Sequence, residues 1–428
     1  MFTPMRRLPA LAQYKKNDVL VLFGELFSRG YANGIVEEAE RLGMTIVRTT
    51  VGRRDGTELR ALNAEEMAAI PKPFINVPLE AGFDMEPDDD GKSPCDYLKG
   101  YKMDEWAQIK LKDSSIEQSR SRGEDRFVEN VKTYLNELEK HIPPTANVLF
   151  VHTMAGGVPR AKILMPVMNK VFKGREERFI SSEDFWISDL GKLCDINFKE
   201  VTAYTFKHLV DLSSDLRKKI ESSGGNASYV CYGYHGTDVL HGDEIHWQTY
   251  SPYIQGWAKI ELEKLCEKYF AEGLKTAIFN CPEILTNSSS IFQGVEVPLY
   301  PFLGALRDKN NPATQKAVDD CLALLKPEHT IDEIMDFTNR FFNNPLIQSH
   351  MAYDKWPQHN SKGQMELLLN SSEHLIAMHK DPKNLITFVL SEEIFKATGK
   401  IMLHEGFKPR KPVLWLGHDV LSEQLTKM

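Results

Sequence analysis

Short, mainly apolar runs alternate with stretches of helical spacing along most of this chain. The runs DVLVLFG (18–24), MTIVRTTVG (44–52), FINVPLE (74–80), NVLFVHTMAGG (147–157), ASYVCYGYHG (227–236) and KTAIFNCPEI (275–284) suit strands buried on both faces of a parallel sheet. Between them lie amphipathic segments. IVEEAERLG (35–43) ends in Gly43, a helix stop. RFVENVKTYLNELEKH (126–141) is halted by Pro143 and Pro144. VPRAKILMPVMNKVFKGREERFI (158–180) reads as helix and then loop, and NFKEVTAYTFKHLVDLSSDLRKKIESSGG (197–225) as one long helix. WAKIELEKLCEKYFAEG (257–273) supplies another. Residues 84–113, with their acidic EPDDDGKSP, break the pattern. After residue 331 the alternation fades into helical segments (331–342, 362–379, 390–402) and one late apolar run, PVLWLGHD (412–419).

Strand–helix alternation of this kind predicts an α/β fold, a doubly wound and mainly parallel Rossmann-type sheet with an insertion and a helical C-terminal extension. The boundaries expected are 1–330 for the nucleotide-binding domain, with the insertion at about 84–125, and 331–428 for the extension.

The first strand, helix and second strand form a βαβ unit, the arrangement that binds nucleotides. Its turn reads Gly24-Glu-Leu-Phe-Ser28-Arg-Gly30-Tyr31-Ala-Asn-Gly34-Ile35. Glycines here let backbone amides approach a pyrophosphate at a helix N-terminus. The spacing is not GxGxxG, so glycines serving turn geometry alone are the competing reading. After the second strand, an acid would bond the ribose 2′-hydroxyl and an arginine would accommodate a 2′-phosphate. Arg48, Arg53 and Arg54 stand there and the first acid is Asp55, which favours NADPH, with NADH or a merely solvated basic loop as alternatives.

Composition narrows the classes. A formal net charge of −8 over 428 residues gives no field for collecting nucleic-acid phosphates. No apolar run reaches the roughly 20 residues that span a bilayer, and the first 20 residues do not resemble a cleaved leader. Six cysteines without a CxxC pair suggest reduced thiols and a cytoplasmic home. His235, His241 and His246 share a loop with Asp243 and Glu244, but lack metal-ligand spacing, so no metal is expected. Cys281 reads as a small buried hydrophobe, and 86–91 as a solvated acidic turn.

A reduction chemistry is suggested by Tyr250-Ser-Pro-Tyr253-Ile-Gln-Gly-Trp-Ala-Lys259, which opens a helix after a strand ending in Tyr234. A phenol can serve a developing oxyanion if a nearby ammonium lowers its pKa. Tyrosine beside lysine means little alone; its place in the order strand, turn, tyrosine, lysine-bearing helix, strand raises its weight.

Taken in order, these stretches resemble the short-chain dehydrogenase/reductase superfamily, and within it the enoyl-acyl-carrier-protein and trans-2-enoyl-CoA reductases. Gly24, Gly30 and Gly34-Ile35 are similar to that branch's cofactor turn, with Gly30 where serine is usual. Phe150-Val-His-Thr-Met-Ala-Gly156 resembles the strand ending beside the nicotinamide ribose. Gly233-Tyr234-His-Gly236 resembles the strand end that carries a first tyrosine, and Gly256-Trp-Ala-Lys259 the catalytic helix.

The resemblance implies cofactor contacts from Gly24, Ser28, Gly30, Tyr31, Gly34, Ile35, Met154, Ala155, Gly156, Lys259, Ile284 and Thr286. It implies that hydride from NADPH reaches the β-carbon of an enoyl thioester on acyl carrier protein or CoA. Tyr250, whose spacing to Lys259 matches the long monomeric enzymes, would meet the enolate oxygen, with Tyr234 assisting and Tyr253 as the alternative. The apolar stretch 291–306 would close over the acyl chain. Monomer and homo-oligomer both stay open, and no nucleic acid or membrane partner is expected. A ketoreductase or other dehydrogenase on the same scaffold, and a non-catalytic nucleotide-binding scaffold, are the competing functions.

Overall fold

The computed structural model describes residues 4–234, 236–248, 254–286, 293–351 and 358–427. Eleven strands lie among them: β1 (Val19–Phe23), β2 (Thr45–Thr50), β3 (Arg53–Asp55), β4 (Glu58–Arg60), β5 (Phe74–Pro78), β6 (Val148–His152), β7 (Ala227–Gly233), β8 (Thr237–His241), β9 (Glu244–Gln248), β10 (Thr276–Asn280) and β11 (Val413–Trp415). Seven of them form one parallel sheet in the order β11-β10-β7-β6-β1-β2-β5. β3–β4 and β8–β9 are separate antiparallel hairpins. The doubly wound Rossmann-type architecture expected from the apolar runs is the one observed.

Alternation within a run decides which face each side chain serves. Leu20 and Leu22 of β1 join the layer beneath the helices Ala32–Arg41 and Ile386–Gly406, whereas Val19, Val21 and Phe23 pack with Phe127, Val131 and Tyr134 on the other face. Both layers are apolar, so no face of the central strands meets water. From β1 the chain runs outward to β2 and β5, then returns to add β6, β7 and β10 on the opposite side. The order reverses at the β1/β6 boundary, where crossovers diverge and leave a crevice at the carboxyl ends of the strands.

Three elements differ from the pattern read in the sequence. The helix stopped by Pro143 begins at Asp113 and runs to Glu139. Its early buried stripe is Ser115, Ile116, Ser119 and Gly123, small and polar residues that hide the periodicity. Gly123 is needed because a Cβ there would sit 2.7 Å from that of Phe83. The stretch 197–225 is divided: Asp189–Lys199 passes through a wide turn over Glu200–Tyr204 into Thr205–Leu212, and a second helix, Ser214–Ser222, follows Ser213. The stretch expected to form an acyl-chain loop is helical at Glu296–Leu299 and Pro301–Asp308, with Val297, Leu299, Phe302 and Leu303 wholly buried. So many consecutive apolar groups find partners only inside the core.

The C-terminal region is woven into the sheet. β11 pairs with β10 through Val413, Leu414 and Trp415. Helix Ile386–Gly406 crosses Ala32–Arg41 where Gly34 meets Gly399. A Cβ on Gly34 would lie 1.9 Å from the Phe395 carbonyl oxygen, and one on Gly399 2.0 Å from the carbonyl carbon of Gly34. Only glycine at both positions permits this approach.

Candidate active site

The carboxyl ends of β1, β2, β6, β7 and β10 carry most of the polar groups singled out in the sequence. β1 ends at Gly24, whose φ is +125° and whose Cβ would strike Thr153 Oγ1 at 2.5 Å. The turn that follows is held by Asn33, which donates to Gly30 O at 2.9 Å and to Phe27 O at 3.1 Å. Ser28 is exposed, and Gly30 has open space where a side chain would be. Gly34 and Ile35 instead face inward, Gly34 toward the crossing helix and Ile35 into the core.

Beside this turn lies a cavity of about 250 Å³, lined by Glu25, Phe27, Val51, Thr153, Met154 and Arg160 among others. Glu25 spans its floor. The carboxylate accepts from Thr50 Oγ1 at 2.9 Å, the Val51 amide at 3.3 Å, and both Nη atoms of Arg53 at 3.0 and 2.9 Å. Burial opposes its charge, but the Arg53 bonds prevail and hold the carboxyl below its usual range. Arg54, 7% exposed, bridges Glu80 and Glu86 at 2.8 Å each. Arg48 pairs with Glu40 at 3.2 Å. Each arginine expected to await a 2′-phosphate is already engaged by a carboxylate.

Met154, Ala155 and Gly156 continue from β6; Met154 is buried, Ala155 exposed, and Gly156 exchanges bonds with Thr202 at 2.9 and 3.2 Å.

The opposite end of the crevice is built from β7, β10 and the helix Ile254–Ala271. Lys259 is 3% exposed, and its ammonium donates to Tyr232 O at 2.5 Å. Desolvation pulls its pKa down to about 8. His152, at the end of β6, shares a bond with Thr205 at 2.8 Å and is kept neutral, first by burial and then by the charge of Lys259. The Nδ1 of His152 and the buried Oη of half-buried Tyr232 have no hydrogen-bond partner among the described residues. Tyr31 reaches across from the first helix to donate to Pro282 O, its ring 5.8 Å from that of Tyr232. Tyr234 donates to the Glu283 carboxylate. Ile284 is buried and Thr286 half-buried in the same segment. Tyr250 and Tyr253 lie outside the described residues.

Sequence reasoning passed over Glu25, His152, Tyr232 and Glu283. Glu25 and Glu283 carried a usable signal: each is a carboxylate set immediately after an apolar strand end, at Gly24 and Pro282. His241 and His246 sit on the β8–β9 hairpin against Phe342; His235 lies outside the described residues. Among the described residues no group of three metal-binding side chains could hold an ion. All six cysteines, Cys281 included, are buried thiols.

A family model described as enoyl-acyl carrier protein reductase FabMG matches residues 1–425. The chain belongs to this family. An unliganded FabMG, described as a novel type of enoyl-acyl carrier protein reductase, is similar over 99% of this chain and 97% of its own, at 42% identity and a TM-score of 0.95. A second FabMG, solved with NADH bound, is 36% identical over 99% of this chain and 98% of its own, with a TM-score of 0.79. No curated protein sequence matches. Membership in the FabMG family makes the chain an oxidoreductase of the enoyl reductase kind, as the collinear motifs implied. No helix among the described residues is long and apolar enough to cross a membrane.

Proposed function

We propose that the chain reduces the carbon–carbon double bond of an enoyl thioester carried on acyl carrier protein, with NADH as the hydride source. The observation that carries this reading is the buried ammonium of Lys259, lodged at the ends of β6, β7 and β10, where it donates to Tyr232 O and its charge reaches His152 and Cys281. A charged amine without a carboxylate partner is costly to bury, and such groups cluster where chemistry needs them.

The residues fit a dinucleotide. Gly24 and Gly30 leave a turn open to a pyrophosphate, the 250 Å³ cavity lies beside it, and the unpartnered Tyr232 Oη and His152 Nδ1 mark the polar far end. Gly24, Ser28, Gly30 and Tyr31 with Met154–Gly156 would hold it, and Lys259 and Thr286 would meet its nicotinamide half. NADH is favoured over NADPH because a 2′-phosphate at the end of β2 would meet the Glu25 carboxylate, and Arg53 is already committed to it. The FabMG relative solved with NADH accords with that choice.

Nicotinamide, when bound, supplies the hydride. Addition at the β-carbon moves the double-bond electrons toward the thioester oxygen. Tyr234 can place its phenol at that oxygen, a role the family resemblance also offers to Tyr250. Lys259, still charged below about pH 8, favours the negative oxygen electrostatically from its buried position. Neutral His152 adds no competing charge.

Pyridine nucleotide oxidation tests the proposal, with crotonyl and longer enoyl thioesters on both carrier protein and CoA set against β-ketoacyl thioesters. Turnover with enoyl thioesters and a preference for NADH are expected. Oxidation driven only by β-ketoacyl thioesters would make the chain a ketoreductase instead.

A further inference from the structure

Two adjacent parallel strands end together at this site. β7 and β10 pair up to Gly233 and Asn280, and the Cys281 amide extends the ladder by donating to Gly233 O at 3.3 Å. The residues that follow are therefore side by side: Tyr234 from β7, and Pro282 and Glu283 from β10. The phenol of Tyr234 is bonded to the Glu283 carboxylate, and the next carbonyl back, Pro282 O, is held by Tyr31. Nothing in the Tyr/Lys chemistry above uses this carboxylate.

A phenol bonded to a carboxylate points its proton away from the substrate. When the carboxyl is protonated the bond reverses: the acid donates to the phenol oxygen and frees the phenol's own proton. We propose that Glu283 is the positioning residue that switches the Tyr234 phenol into its donating state and returns its proton after each turnover. The inference rests on Tyr234 acting as the acid. Atoms balance as follows. Hydride forms a bond to the β-carbon, and the C=C electron pair moves onto the thioester oxygen. The Tyr234 proton goes to the enolate oxygen, the Glu283 proton passes to the phenolate oxygen, and water reprotonates the carboxylate. The enol then takes a proton at the α-carbon from water and gives its O–H proton back to water as the C=O bond re-forms, leaving the saturated thioester.

The surroundings suit this role. The titratable groups facing the carboxyl from the elements packed around it are Tyr234, Glu296 and Tyr31, two phenols and a second acid. Glu296 is itself buried and bonded to Ser372 at 2.7 Å. Desolvation first, and the charge of Glu296 after it, push Glu283 up to about 7, against the opposing bond from Tyr234. Its working form is then present at and below neutrality and is lost as pH rises through that value.

The pH dependence of kcat in the full-length enzyme, at saturating enoyl thioester and NADH, tests the inference. Wild type should lose about tenfold per pH unit above the Glu283 midpoint. Glu283→Gln keeps a donor on the phenol oxygen but has no proton to pass. Its kcat should fall about tenfold, and its midpoint should move up to about 8, where Lys259 discharges, with the KM for NADH unchanged. Glu283→Asp keeps a carboxyl and should keep a limb distinct from that of Lys259, which serves if the glutamine variant folds poorly. An unchanged midpoint in Glu283→Gln, with Tyr234→Phe inactive, overturns the role of Glu283 alone. Full turnover in Tyr234→Phe overturns the reading of Tyr234 on which it stands.

Discussion

The two ends of the crevice treat charge in opposite ways. At the ends of β1, β2 and β5 three arginines are saturated: Arg53 by Glu25, Arg54 by Glu80 and Glu86, Arg160 by Glu80 and Asp84. At the ends of β6, β7 and β10 the polar groups are buried and under-partnered: Lys259 has a carbonyl in place of a carboxylate, and His152 and Tyr232 each keep an idle atom. Saturated charges are fixed in geometry and sort ligands by repulsion. Under-partnered ones keep shifted pKa values and free bonding capacity, the condition for moving protons.

Three substitutions bear on that contrast, and the largest effect belongs to the under-partnered end. Lys259→Ala should lower kcat by about 10²–10⁴-fold in steady-state assays, since it removes the buried cation that the proposed mechanism sets against the reacting oxygen. A loss below about threefold would place that cation outside the chemistry. Next in size, Arg54→Ala leaves Glu80 to Arg160 and Glu86 to Arg126 and should cost about 2 kcal/mol in urea unfolding, with little change in KM for thioester. Smallest, Glu25→Gln releases Arg53 and removes a negative charge. The ratio of kcat/KM for NADPH over NADH should rise about tenfold or more, as expected for one charge-assisted bond gained. If the ratio stays put, the saturated end does not select the cofactor.

How much of this was legible in sequence follows from the range of the interactions. The central strands β1, β2, β5, β6, β7 and β10 announced themselves because each is a short, mainly apolar or β-branched run, a local signal. β11 has three residues, and its pairing with β10 is set by packing far along the chain. The glycine turn and Lys259 were visible as residue types in the right order. The state of the arginines was not, because Glu25, Glu40, Glu80 and Glu86 reach them from separate elements. Arginine after the second strand suggested a phosphate partner; the fold supplies carboxylates first. Likewise the Glu283 carboxylate reaches Tyr234 from a separate strand end, while Tyr250, which Tyr234 was expected to assist, lies outside the described residues.

The contact between Gly34 and Gly399 has a consequence for how the enzyme is made. The helix that begins after the first glycine turn takes its final seat only against residues synthesised more than three hundred and fifty positions later. A nascent chain can assemble its first βαβ unit on the ribosome, but that unit lacks its lid until the helix bearing Gly399 emerges. The capacity to hold a reductant is thus deferred until that later helix has emerged and docked.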